Sequence, residues 1–174
     1  MRKVTAKVLV VGSSAVGKSA LIQLYTTGEV NFLKDYQLTQ IAEISTKLIP
    51  FEQEEKDVEL YLFDIAGSEI YEQAILKSNI LKDANFVFLC YDMTKETTYE
   101  AAKEWFERVT KANGKKLPGV LVAMKSDLQA IRKIENKQGM QLASQLGLSF
   151  FSVSTARNQD IDHPFQHIAQ QLIK

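Results

Sequence analysis

Gly12-Ser13-Ser14-Ala15-Val16-Gly17-Lys18-Ser19 has the composition and spacing of a phosphate cradle. Gly12 and Gly17 let the chain wrap until successive backbone N–H groups converge on phosphate oxygens, and a helix beginning there points its positive end at them. Lys18 neutralises the β- and γ-phosphates, and the Ser19 hydroxyl is placed to ligate Mg²⁺. An apolar strand before the motif and a helical pattern after it, opening with Ala20, are the context this P-loop requires. Gly12, Ser14, Ala15, Val16, Gly17, Lys18, Ser19 and Ala20 are therefore expected to hold a purine nucleoside triphosphate.

Two further segments fit the same chemistry. Asp64-Ile65-Ala66-Gly67 pairs a carboxylate able to reach Mg²⁺ through water with a glycine whose N–H can approach the γ-phosphate. Asp-x-x-Gly alone is a common turn. Its position 45 residues after Ser19, on a neighbouring strand, strengthens the pairing. Thr39 lies in the segment after the first helix, where its hydroxyl can complete the magnesium shell and its N–H meet the γ-phosphate. By itself it reads as an ordinary polar loop residue.

Lys125-Ser126-Asp127 follows the apolar run 120–124. A carboxylate at Asp127 can accept both N1–H and the N2 amino group of guanine, which adenine does not offer, and the Lys125 stem can lie across the base. The plainer alternative for Asp127 is a helix cap. Ser154-Thr155-Ala156, after another strand, can present backbone N–H groups to guanine O6. His163 and His167 share a helix face at i, i+4 but have no third ligand near them in sequence, so they read as solvated or capping residues. Trp105 and Phe106 read as core.

These residues need a scaffold, and the pattern supplies one. Apolar runs of strand length recur at 7–11, 86–91, 120–124 and 149–153, separated by segments of helical period. Such runs are buried on both faces, as in a doubly wound α/β sheet. Ile44, Leu48 and Ile49, then Val58, Leu60 and Leu62 alternating with Glu59 and Tyr61, predict an edge hairpin, with Glu52–Glu55 as its solvated turn. Helices are expected at about 17–27, 69–82, 97–111, 134–146 and 162–173. In the last, Phe165, Ile168, Ala169, Leu172 and Ile173 form one apolar stripe, with Asp162 and Pro164 as start signals.

The length of 174 residues, 45% of them hydrophobic, suits one domain, 1–174. Twenty-one basic residues balance twenty-one acidic ones, so no global field recruits nucleic acid or an anionic membrane. The run 8–11 leads into the P-loop rather than a cleavage site, no membrane span is expected, and residues 170–174 carry no cysteine for a lipid anchor. Cys90, the one cysteine, reads as a buried thiol suited to a reducing, cytoplasmic setting.

Taken together, the P-loop, Thr39, Asp64–Gly67, Lys125–Asp127 and Ser154–Ala156 resemble the Ras-like small GTPases, and the Rab branch most closely, over essentially the whole chain. The resemblance implies a P-loop NTPase of the small GTPase fold, a six-stranded, mostly parallel sheet with helices on both faces, GTP or GDP with Mg²⁺, and switch regions near 28–42 and 65–76. It also assigns catalytic positions to Lys18, Thr39, Gly67 and Ser68, with Ser19, Thr39 and Asp64 around the metal. A narrower resemblance is to the Rab-like GTPases of the intraflagellar transport B particle, carried by Phe32–Tyr36, Ala66–Glu69, Leu117–Val122 and the Pro164-Phe165, Ile168-Ala169 pairs. It implies protein partners at the switch regions, a small β-sandwich subunit of that particle among them, and a place in the cilium.

Four positions depart from the family pattern. Ser68 stands where Gln usually orients the attacking water; serine is too short, so hydrolysis is expected at about 10⁻³–10⁻⁴ s⁻¹ or below. Met124 replaces an Asn that both donates and accepts, which predicts guanine affinity lowered by about tenfold to a hundredfold. Ala156 replaces a Lys beside the base, and Ile41 a Gly of no evident consequence. Two other readings stay open: a pseudo-GTPase scaffold with structural nucleotide, favoured by Ser68 and Met124, and a vesicle-trafficking Rab, which requires a prenylated tail.

Overall fold

The computed structural model describes residues 2–30 and 40–174. Six strands form one sheet in the order β2-β3-β1-β4-β5-β6. They are β1 (Arg2–Val11), β2 (Ala42–Phe51), β3 (Lys56–Ile65), β4 (Phe86–Asp92), β5 (Gly119–Met124) and β6 (Ser149–Ser152). All neighbours are parallel except β2 and β3, which form the antiparallel edge hairpin. A 3-10 turn, Glu52–Glu54, closes the hairpin and is exposed, as its charge run predicts. On β3, Val58, Leu60 and Leu62 are fully buried.

The helices α1 (Lys18–Thr27), α2 (Glu72–Lys77), α3 (Glu96–Asn113), α4 (Asn136–Leu146) and α5 (His163–Ile173) cover both faces. Alternation along β1 divides the core. Val8 and Val10 pack with Leu21, Tyr25 and Phe165 from α1 and α5. Leu9 and Val11 pack with Ile75, Phe106 and Leu142 from α2, α3 and α4. Tyr25 and Phe165 stack with ring centroids 3.9 Å apart, clamping α1 to α5. Cys90 is buried and free, and burial pushes its thiol up to about 12. No described helix is long and apolar enough to cross a membrane.

Several elements differ from the sequence expectation. The predicted helix over 69–82 is a 3-10 turn, Glu69–Tyr71, followed by six residues of α2. Ser78 Oγ donates to Ile75 O, and Asn79 takes a left-handed φ of 57°, so local side-chain bonding ends the helix without a glycine or proline. Strand β1 starts five residues before the predicted 7, because its polar first half still pairs with β3 from Arg2↔Lys56 onward. The last helix starts at His163. Asp162 occupies its N-cap position in helical conformation and makes no side-chain cap bond. At α4 the cap is one the periodicity did not flag, a reciprocal box between Glu135 and Gln138. The edge strand β6 is half-buried rather than fully buried.

Candidate functional site

Every candidate site residue in the described part of the chain lies at or just beyond the carboxyl end of a strand, Asp64 as the penultimate residue of β3 and the others after β1, β3, β5 and β6. The order β3-β1-β4 makes the end of β1 a point where connections leave to opposite faces, and ligands bind α/β sheets at such points. The P-loop leaves β1 there. Gly12 has φ 146°, and a Cβ on it would stand 2.3 Å from the Cys90 carbonyl oxygen, so only glycine passes beneath β4. Ala15 adopts φ 60°, and Gly17, at φ 109°, is the N-cap of α1.

Lys18 is 6% exposed. Its Nζ donates to Gly12 O at 2.8 Å and Ser13 O at 2.9 Å, inside the curve of its own loop. Burial holds its ammonium below the usual lysine range, while Asp64 works against that shift. A buried cation bonded to neutral carbonyls is an electrostatic receptor for anionic oxygens.

Ser19 Oγ donates to Asp64 Oδ2 at 2.5 Å. Burial raises the Asp64 carboxyl above its ordinary range, partly offset by the bond from Ser19 and the charge of Lys18. Asp64 Oδ1 is buried with no hydrogen-bond partner among the described residues. A hydroxyl and a carboxylate with an unspent oxygen are hard oxygen donors, which fits Mg²⁺. Ser19 and Asp64 would hold that ion, and when bound it neutralises phosphate charge. Thr39 lies outside the described residues, as do Phe32–Tyr36.

Gly67 lies against the P-loop backbone. A Cβ there would fall 2.4 Å from Gly12 O and from Ser13 C. Ala66 N donates to Ile41 O at 2.9 Å, tying the same turn to the start of β2. Ser68 has an extended backbone and heads the 3-10 turn without a side-chain bond to it.

At the other end of the site, Asp127 Oδ1 accepts a 2.6 Å bond from Ser154 Oγ, and Ser154 is fully buried. Ser126 N donates to Val153 O, which joins this loop to the end of β6. Ser154 N–H is committed to Gln159 O, so the residue meets the site through its hydroxyl. Thr155 is half-buried and Ala156 exposed. Lys125 takes φ 65° and donates from Nζ to Asp92 Oδ2 at 2.6 Å. The Asp92 side chain is inaccessible to solvent, and its Oδ1 accepts from Thr94 N and Oγ1. Burial pushes this carboxyl up, but the bonds from Lys125 and Thr94 outweigh it and hold it below the ordinary range. Sequence reading missed Asp92; its only signal was an acid at the end of an apolar strand.

Met124 is 1% exposed, in one packed cluster with Val16 and Leu21. His163 is exposed beside Asp160, and His167 packs its ring against Phe151. No group of three metal-ligating side chains forms among the described residues. Trp105 and Phe106 are core residues.

Residues 7–174 match the family model described as the Ras family. Among characterised proteins, the chain is 34% identical over 172 residues to the intraflagellar transport protein 27 homolog of Mus musculus, covering 98% of this chain and 91% of that protein. Intraflagellar transport protein 27 of Chlamydomonas reinhardtii is 36% identical over 168 residues, 94% of this chain and 81% of that one. Ras-related protein RabC of Dictyostelium discoideum is 28% identical over 166 residues, 95% and 83% of the two chains.

Proposed function

The chain belongs to the Ras family, as a Rab-like GTPase homologous to intraflagellar transport protein 27, and from that premise we propose a slowly hydrolysing guanine-nucleotide switch that serves in intraflagellar transport. The observation that carries the nucleotide reading is the buried Lys18 inside the P-loop, next to the Ser19–Asp64 pair. Phosphate displaces the two carbonyls as the partner of Lys18. Ser19, through its hydroxyl, and Asp64, through its unspent oxygen, would hold Mg²⁺. Asp127, held in orientation by Ser154, accepts from guanine, and Met124 adds no hydrogen bond to the base.

Ser68 supports the slow rate. Its side chain ends at one hydroxyl, too short to orient a water as a glutamine amide does. Single-turnover hydrolysis of GTP with Mg²⁺ is expected near 10⁻³–10⁻⁴ s⁻¹ or below, and turnover near 1 s⁻¹ without a partner, orders of magnitude above the roughly 10⁻³ s⁻¹ scale, would sink the reading. Switching is tested by stripping nucleotide from the purified chain, then titrating GTP and GDP with Mg²⁺ while following hydrogen exchange over 28–42. Stronger protection by GTP is expected; equal protection by both favours the scaffold alternative.

The role in the transport B particle and in the cilium rests on the relatives named intraflagellar transport protein 27. The partners are proteins meeting the switch regions, including a small β-sandwich subunit of that particle. Co-purification of that subunit with the chain is expected, and its absence from the isolated particle would count against the assignment.

A further inference from the structure

The last residue of β5 lies between the two halves of the site and packs with residues of both. Met124 directly precedes Lys125, yet its side chain is 1% exposed and shares its packed cluster with Val16 of the P-loop, Leu21 of α1, and Val153 and Ile161 around the base loop. A Cβ built on Gly17 would stand 3.2 Å from Met124 Cε. The methyl group therefore lies against the face of Gly17 that carries no side chain. Gly17 is the N-cap of α1, at a φ of 109° that few side chains tolerate, and it supplies no side-chain bond of its own to fix the turn. Its carbonyl accepts the first helical bond, from Leu21 N at 3.0 Å, and on the side where a Cβ would stand the Met124 methyl is, among the described residues, the one atom within 4 Å.

We propose that Met124 is a positioning residue for the phosphate loop: its thioether arm fills the space under Gly17 and fixes the turn from which α1 aims its first N–H groups at phosphate. Methionine suits an irregular gap of this kind, being unbranched and polarisable. Removing the arm leaves Gly17 without partner atoms on that side, and dispersion contacts across a void are lost outright. The side chain thus couples the base strand to the phosphate loop by apolar contact while offering the base no hydrogen bond.

The inference rests on reading 12–19 as a nucleotide loop, and the test separates the two. The full chain, its Met124→Ala variant and its Met124→Leu variant are titrated with GDP and with inosine diphosphate, which lacks the exocyclic amino group of guanine, in the presence of Mg²⁺. Neither methionine nor alanine can hydrogen-bond the base, so a loss on truncation does not arise from base recognition. Met124→Ala is expected to weaken both nucleotides by the same factor, about tenfold, with Met124→Leu within about threefold of the parent. Amide exchange over residues 13–18 of the nucleotide-free protein is expected to quicken in the alanine variant and not in the leucine one. A variant that merely loosened the core would quicken exchange in β4 and β5 as well. Affinity unchanged in Met124→Ala, a loss confined to GDP, or an equal loss in Met124→Leu each overturns the proposal. Should Met124→Ala fail to fold, Met124→Val is measured in its place with the same outcomes. Parent protein that binds neither nucleotide sinks the nucleotide reading itself, whereas parent binding with an inert Met124→Ala sinks only this inference.

Discussion

At the phosphate end of the site the parts touch directly. Lys18 bonds the carbonyls of its own loop, Ser19 bonds Asp64, and Gly67 presses on the backbone of Gly12 and Ser13. At the base end each part reaches the site through an intermediary: Asp127 is oriented by Ser154, and Lys125 is held by Asp92. The first end combines side-chain bonds with a backbone contact that admits only glycine, whereas side-chain bonds alone orient Asp127 and Lys125 at the second.

The sharpest way to break this comparison is at Lys18. Lys18→Ala removes the only buried cation of the P-loop, and GDP affinity is expected to fall about a thousandfold or more by titration. Gly67→Ala acts on the same end through sterics. A methyl group 2.4 Å from Gly12 O forces the loop apart, so a loss of about a hundredfold in affinity is expected. Base-end substitutions should cost less. Asp127→Asn is expected to weaken GDP about thirtyfold, and Ser154→Ala, which removes the bond that orients Asp127 and the one accepted from Arg157 N, about tenfold. A Ser154→Ala loss exceeding that of Lys18→Ala would reverse the comparison.

Asp92→Asn probes the intermediary behind Lys125 and is expected to weaken GDP about threefold to fivefold. Because the folded carboxyl sits below its ordinary value of 3.8, its contribution to stability is present above that value and is lost as pH falls through the folded value. The asparagine variant should accordingly lose less stability on acidification than the parent. The smallest effect is remote from both ends. Burial, with a smaller push from Lys174, holds His167 below its ordinary 6.5, so the unfolded chain takes up the proton first. Stability should fall slightly as pH drops through 6.5, by about one or two degrees in Tm, and His167→Gln should flatten that dependence.

How much of this was legible in the sequence follows the same division. The P-loop, the alternation of Val58, Leu60 and Leu62, and the stripe of α5 are local patterns, and each lies where its spacing puts it. The end of α2 was not legible, because Ser78 and Asn79 stop it by bonding and backbone choices that any polar pair can decline. Nor were Asp92 and the contact of Met124 with Gly17. Both pair residues from different strands and loops, 33 residues apart in the case of Asp92 and Lys125, and only the register of β4 on β5 brings that pair together.

Gly67 carries a consequence for how this chain can change over generations. Every codon change that replaces glycine adds at least a methyl group, and at this position a methyl group meets carbonyl oxygen and peptide carbon. The neighbouring Ser68 has an extended backbone and makes no side-chain cap bond to the turn it heads, so a change of side chain there breaks no cap. A lineage descending from this chain can vary residue 68 without breaking a cap, whereas any residue it drifts into at 67 collides with the backbone of Gly12 and Ser13.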